Sequence, residues 1–490
     1  MKTHTRTPLF YYFLALFSGF LLFLATPYVG YWFIAPVALV PFFVSHFSLT
    51  SKRRRSLATL LMAIPYCTAE GEPLFRLAGT WWVGSGGGGI GASALYVGGI
   101  VLIIVVASVC YIVPALFAER LFRRMPPAIA LGVGFALIES FRSSILLAGY
   151  SWGAMGYLLI DTLYIKHFAA VFGVYGLTFL MVTWSAWSAQ LLKRMYENKG
   201  NFLARFREAL FSKLFFFESV TLSMLVCATL LFGAERELRT PDLGIPMRVA
   251  VIASQIRTEE SIAQGSYRAY RTLFLDALKQ EPDIILTPEN VFPYFILDED
   301  TGTLTLHPSV YLANAGELYL DFLALTQSAP RVTFATALHS HEGGKLYNSI
   351  VLYRDGRILS VYHKRKPVPF TEYAPLGIDL PLFQRFAKGP DLQDFRLDTL
   401  LLGGYVCSEI GITPLSVHGA KLILSPSNDS ALLSTTIMPL HHQFARMRAL
   451  EAGAYMIRSS KGGISSIIDP YGRAIATMSG TTGVLVADIR

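Results

Sequence analysis

Charge is scarce in this sequence. Only 16% of its 490 residues are Asp, Glu, Lys or Arg, while 53% are hydrophobic; soluble domains usually carry about 25% charged residues. The shortage excludes a chain that is soluble throughout, and it is local. Long apolar runs fill residues 9–233, whereas from Met247 onward short alternating segments carry ordinary charge. Cysteine is scarce as well. Cys67, Cys110 and Cys227 lie in the apolar runs, so Cys407 has no partner in the second half and a disulfide framework there is excluded. Internal repeats are lacking, and the one low-complexity stretch is "GSGGGG" at Gly84–Gly89, read as a flexible loop. The net charge of +8 would suit a polyanion partner. The basic residues, however, cluster in the loops between apolar runs, where membrane topology accounts for them, so no nucleic-acid partner is expected.

What is present in the first half is a set of candidate membrane spans: Leu9–Thr26, Trp32–Phe47, Leu57–Trp82, Ile90–Phe117, Ala128–Leu147, His167–Leu191 and Phe215–Phe232. A bilayer core of about 30 Å needs roughly 20 helical residues. The third run is interrupted by Glu70, Glu72 and Arg76, and loop charge decides in its favour. Lys52–Arg55, then Arg120, Arg123 and Arg124, then Lys193, Arg194, Lys199, Arg205, Arg207 and Lys213 alternate with loops holding little more than Arg76, Arg142 and Lys166. This is the positive-inside pattern, and about seven crossings from an inside N-terminus place everything after Phe232 on the outer side. We therefore expect a transmembrane domain over 1–233, a linker over 234–246 and a globular domain over 247–490. Glu139 and Arg142, three residues apart, are read as a mutually satisfied pair. Trp152 and Tyr157 either line a lipid entry or are ordinary interfacial aromatics.

The second half reads as α/β. "MRVAVIA", "DIILTPEN" and "RVTFATALH" are strands, "NSIVLYRDGRILSVYHK" is a hairpin around Asp355-Gly356, Glu259–Leu278 has helical periodicity, and a further helix runs through "QFARMRALEAG". Three polar positions fall at strand ends, where α/β folds place their chemistry. Each has an ordinary reading when taken alone. Glu289 in "TPEN" suits a turn. Lys364 sits with Arg365 and Lys366 in what spacing alone would make a solvated basic face. Cys407 in "LLGGYVCSEI" suits a small buried hydrophobe. Together they supply a base, a cation for an oxyanion and a nucleophile, a complete set for acyl chemistry.

The order "TPEN", "HKRKPVPFTEYAP", "VCSEI", "SND" and "FARMRALE", preceded by "ATPYVGYWFIAPVALVPF", "GYSWGAMGYLLIDT" and "GVYGLTFL", resembles the apolipoprotein N-acyltransferase family, a membrane-embedded member of the carbon–nitrogen hydrolase (nitrilase) superfamily. The resemblance implies a polytopic α-helical membrane domain followed by an extracytoplasmic nitrilase-like α/β domain, an α-β-β-α sandwich. It implies a triad of Glu289 as general base, Lys364 as oxyanion stabiliser and Cys407 as nucleophile, with Glu372 and Glu409 in support and neither cofactor nor metal. The implied reaction moves a fatty acyl chain from a membrane phospholipid, through a cysteine thioester, to the N-terminal amine of a lipid-modified lipoprotein. The implied setting is a monomer in the bacterial inner membrane with its catalytic domain on the periplasmic side. Two alternatives use the same triad: a membrane-tethered amidase or nitrilase acting on a small amide, and an N-acyltransferase with another amine acceptor. The sequence departs from the family pattern in "SALLSTT" after Ser427-Asn428-Asp429, in the lack of tryptophan over Gln255–Leu275, and in ending at "GVLVADIR" without the terminal span the family usually carries.

Overall fold

The computed structural model describes residues 7–84, 90–146, 149–198, 201–211, 213–256, 266–292, 295–306, 315–368, 372–373, 386–412, 417, 419–432 and 436–490. Most of the Gly84–Gly89 stretch, residues 257–265 with the start of the expected Glu259–Leu278 helix, and much of the "PFTEYAP" segment lie outside these residues. The chain divides into two compact units, Met1–Arg239 with Ser434–Gln443, and Thr240–Leu433 with Phe444–Arg490.

The first unit is helical: α1 (Pro8–Leu24), α2 (Val40–Ser48), α3 (Lys52–Gly84), α4 (Ile90–Cys110), α5 (Ile112–Leu121), α6 (Pro127–Phe141), α7 (Ala169–Glu197), α8 (Phe202–Leu210) and α9 (Lys213–Leu238). Among the described residues, four helical stretches are long and apolar enough to cross a membrane: Val97–Leu121, Pro127–Ile145, Ile165–Glu197 and Phe215–Leu238. Pro8–Leu24 and Trp32–Ser48 are apolar but shorter. The expected single run Ile90–Phe117 breaks at Tyr111, because Pro114 has no N–H to give to the carbonyl of Cys110. Helices α6 and α7 approach closely at Gly132, where a Cβ would sit 2.0 Å from Thr183 Oγ1. Small residues at such crossings let two backbones pack without hydrophobic drive from lipid.

The second unit holds two sheets. One has the order β14-β1-β2-β5-β3-β4, with β6 and β7 added antiparallel beyond β5. Its strands are β1 (Met247–Ala253), β2 (Ile284–Glu289), β3 (Phe295–Asp298), β4 (Thr303–Leu306), β5 (Thr333–Glu342), β6 (Lys345–Arg354), β7 (Arg357–His363) and β14 (Gly483–Ile489). The other runs β13-β12-β11-β10-β9-β8, from β8 (Arg396–Leu397), β9 (Leu400–Gly404), β10 (Leu422–Asn428), β11 (Tyr455–Lys461), β12 (Ser465–Ile468) and β13 (Ala474–Met478). "MRVAVIA" is apolar at nearly every position because both faces of β1 are covered. Val249 and Val251 enter the core between the sheets with Leu286, Ile350, Leu402, Leu424 and Ile457. Ala250 and Ile252 point the other way, toward Tyr270 and Phe274 of α10 (Ser266–Leu278) and Phe322 of α11 (Ala315–Ser328). Between the parallel strands β10 and β11 runs α12 (Ile437–Ala452), the crossover helix such a pair requires. The expected α-β-β-α sandwich is therefore the architecture of this unit. The hairpin also forms as read, with Asp355 at φ 51 and Gly356 at φ 71, the left-handed pair of a tight two-residue turn.

Candidate active site

Glu289 ends β2, which is buried along its whole length and lies between parallel neighbours β1 and β5. Asn290 follows at φ 63, so the chain turns sharply and the carboxylate is left at the C-terminal edge of the sheet. Glu289 Oε1 accepts a hydrogen bond from Asn348 Nδ2 at 2.8 Å. The same Nδ2 lies 3.2 Å from Glu372 Oε1. Asn348 sits on β6, and the backbone N–H of Lys364 donates to its carbonyl at 2.8 Å, so one residue joins the base to the strand end carrying the lysine.

Lys364 follows β7 and is only 1% exposed. Its Nζ lies 2.9 Å from Glu372 Oε1 and 2.8 Å from Glu372 Oε2, so both oxygens of one carboxylate face it. Glu372 Oε2 also accepts the N–H of Val368 at 2.6 Å. Burial alone would raise the Glu372 carboxyl; the Lys364 ammonium and these donors outweigh it and hold the group below the usual carboxylate range. The neighbouring cations point elsewhere. Arg365 Nε donates to Tyr362 Oη at 3.0 Å, and Lys366 is partly exposed. Of the three basic residues, Lys364 is the most deeply buried, with its ammonium against the Glu372 carboxylate.

Cys407 opens a short turn, Cys407–Gly411, three residues past the end of β9. Its φ is 50, a left-handed conformation that a non-glycine residue holds only when its surroundings over-determine it. Gly404 makes room for the strand behind it, since a Cβ there would fall 2.6 Å from the Tyr362 ring. Glu409 explains the carboxylate two residues after the thiol. It is fully buried. Its Oε1 accepts the N–H groups of Arg365 and Lys366 at 2.7 and 3.0 Å, and its Oε2 accepts Val406 N–H at 2.9 Å and Tyr362 Oη at 3.2 Å. One carboxylate therefore ties the turn bearing the nucleophile to the segment bearing the lysine. Burial raises its carboxyl, and Lys364 and the backbone donors offset part of that.

The thiol is coupled to the other two groups electrostatically. Burial pushes Cys407 up to about 12, the charge of Glu289 adds to the rise, and Lys364 opposes it. At neutral pH the resting sulfur is a thiol, and its attack requires removal of the proton in the same step. Asp429 contributes a smaller rise. It is itself buried against Arg458 Nη2 at 2.9 Å, Ser460 Oγ at 3.0 Å and Ser427 Oγ at 2.6 Å.

The structure thus gathers Glu289, Lys364, Cys407, Glu372 and Glu409, all within the second unit. Asn348 and Arg458 were not singled out from sequence. The available signal was a polar or charged side chain inside an otherwise apolar strand, in "YNSIVLY" and "YMIRSSK".

Residues 248–490 match the carbon–nitrogen hydrolase family, and residues 18–187 match the apolipoprotein N-acyltransferase N-terminal domain. Apolipoprotein N-acyltransferase of Pseudomonas aeruginosa is 28% identical over 489 residues, covering 90% of this chain and 85% of that one. The Azotobacter vinelandii protein of the same name is 29% identical over 478 residues with the same coverage, and that of Aquifex aeolicus is 24% identical over 366 residues, covering 72% of this chain and 74% of that one. Among solved structures, a mutant of the Nesterenkonia AN1 amidase from the nitrilase superfamily is 18% identical with a TM-score of 0.36, covering 50% of this chain and 90% of that one. On these matches, which span both units, the chain belongs to the apolipoprotein N-acyltransferase family, its second unit being a carbon–nitrogen hydrolase domain.

Proposed function

We propose that this protein transfers a fatty acyl chain from a membrane phospholipid to the N-terminal amine of a lipid-modified lipoprotein, through a thioester on Cys407. The observation that carries this reading is one connected set of groups: Glu289 bonded to Asn348, Asn348 to Glu372, Glu372 to Lys364, and the Cys407 thiol coupled to both Glu289 and Lys364.

In the first half-reaction Cys407 Sγ attacks the ester carbonyl while Glu289 takes the thiol proton. Lys364 offers its ammonium to the developing oxyanion; loss of one such donor typically costs about 10²–10³ in rate. The carbon–oxygen bond breaks, the proton passes from Glu289 to the leaving alkoxide, and a lysophospholipid departs. In the second half-reaction the acceptor amine attacks the thioester carbonyl and gives a proton to Glu289. The carbon–sulfur bond breaks and the proton returns to the sulfur, leaving an amide. No cofactor enters these steps.

The helical unit belongs to the same reading. Both substrates are lipid-anchored, and about seven crossings would hold the thiol at the outer face of the inner membrane, raising its effective concentration against lipid. The full chain in detergent, incubated with phospholipid and a diacylated lipopeptide, should yield the triacylated peptide by mass spectrometry. Release of free fatty acid without acylated peptide would favour the hydrolytic reading instead.

A further inference from the structure

Three strand ends converge beside the segment that carries Lys364. Glu299 follows β3, Glu342 ends β5 and His363 ends β7. Parallel pairing of β3 with β5 sets the first two side by side, and the N–H of Glu299 donates to the carbonyl of His341 at 2.9 Å. One ligand atom from each of the three side chains lies within 4.8 Å of the others. His363 Nε2 is 3.3 Å from Glu342 Oε2 and 3.6 Å from Glu299 Oε2.

The imidazole is fixed. His363 is 6% exposed, its ring stacks on Tyr347 with centroids 4.1 Å apart, and Nδ1 lies 2.8 Å from Ser349 Oγ, which is in turn 2.6 Å from Ser340 Oγ. A ring whose Nδ1 is held by an oxygen presents Nε2 outward with a known orientation, the usual arrangement behind a metal-bound histidine. Glu299 Oε1 is buried and has no hydrogen-bond partner among the described residues. An imidazole nitrogen and two carboxylates, one with an oxygen that has no partner among the described residues, make a donor set of the kind that holds a metal ion.

The two distances from His363 Nε2 suit one. For metal–ligand bonds of about 2.1 Å, neighbouring donors stand about 3.0 Å apart in an octahedron and about 3.4 Å apart in a tetrahedron. One imidazole with two carboxylates favours zinc or manganese; magnesium and calcium prefer oxygen-only shells. We propose that Glu299, Glu342 and His363 form a three-ligand site for a divalent transition-metal cation, which clamps three strand ends immediately ahead of Lys364. The site takes no part in the acyl chemistry; its role is to fix where the chain leaves β7.

The untagged full chain in detergent, stripped with a chelator, should bind one equivalent of Zn²⁺ alone, and Co²⁺ should give d–d bands without a thiolate charge-transfer band. Glu342→Gln, at a side chain 53% exposed and therefore safe for folding, should weaken this binding by about 10-fold or more. Glu299→Gln should do the same, and Cys407→Ser should retain the full equivalent. Zn²⁺ should raise the unfolding temperature of the wild type and not that of Glu342→Gln. The chain has 10 histidines, so binding that persists unchanged in both glutamate variants is adventitious and overturns the proposal. Loss of binding in Cys407→Ser, or no binding by the wild type, also overturns it. None of these readouts depends on acyl transfer.

Discussion

Each unit buries a cluster of charge, and the two clusters use it differently. In the helical unit Glu139 and Arg142 are 0% and 2% exposed. Arg142 gives Nη2 to the carbonyls of Trp152 and Gly153 at 3.1 and 2.8 Å and Nη1 to Tyr111 Oη at 3.2 Å. Glu139 accepts Tyr111 Oη at 2.7 Å, Thr178 Oγ1 at 2.6 Å and Met155 N–H at 3.0 Å. Both therefore stitch the segment after α6 to its surroundings. In the α/β unit Lys364 is as enclosed, at 1% exposure, and Glu372 is half-buried, yet their partners lead to Glu289, and the Cys407 thiol feels both Lys364 and Glu289. An intramembrane charge is a functional candidate by default. Here the separation comes from what the charges face: backbone carbonyls and hydroxyls in one case, a further carboxylate and a thiol in the other.

Substitution tests that contrast, starting with the largest effect. Lys364→Met and Glu289→Gln should each cost about 10²–10³ or more in acyl transfer. Glu289→Gln carries a second signature. Burial keeps the Cys407 thiol protonated with or without the Glu289 charge, so a base that takes the proton should also serve attack on a small alkylating reagent, which should label Cys407 more slowly in Glu289→Gln than in the wild type. Labelling at the wild-type rate or faster would mean that Glu289 acts by shaping the site and not by taking the proton.

Arg142→Met should act on folding. Removing one partner of a buried charged network costs about 3–5 kcal/mol, seen as a lower unfolding temperature in detergent, while the folded fraction still forms the thioester. A variant as stable as the wild type but unable to form the thioester would erase the distinction between the clusters.

Glu372→Gln should be milder, since a hydrogen bond to a charged group is worth about 1.5–3 kcal/mol, or roughly 10–100-fold in single-turnover acylation. Lys366→Met should change the rate by no more than about threefold, because a surface substitution of this kind is usually within about 0.5 kcal/mol. If it matched Lys364→Met, the assignment within the basic cluster would be wrong.

Much of this was legible in the sequence where the physics is local. The apolarity of "MRVAVIA", broken only at Arg248, announced the strand β1, and Asp355-Gly356 announced its turn. Polar residues at strand ends, read with the family resemblance, located Glu289, Lys364 and Cys407. What was not legible depends on partners distant in sequence. Glu409 binds N–H groups of Arg365 and Lys366, and Asn348 bridges Glu289 and Glu372; neither follows from spacing. Glu139 and Arg142 make no ion pair with each other among the described residues. The helix α6 ends at Phe141 and a wider turn begins at Arg142, which turns the guanidinium toward Trp152 and Gly153 and away from the (i, i+3) geometry their spacing suggested. Tyr157 is buried at 2% exposure, and Trp152 Nε1 donates to the Glu70 carbonyl at 2.6 Å. Both aromatics thus make internal contacts that a composition-based reading of interfacial residues does not supply.

The most direct measurement is the intact mass of the full chain after incubation with phospholipid and no acceptor. One fatty acyl addition should appear on Cys407 and be removed by hydroxylamine at neutral pH. It should be absent in Cys407→Ala and retained when Cys67, Cys110 or Cys227 is replaced. Acyl transfer at the wild-type rate by Cys407→Ala would contradict the covalent mechanism and return Cys407 to the status of a small side chain packed against the core.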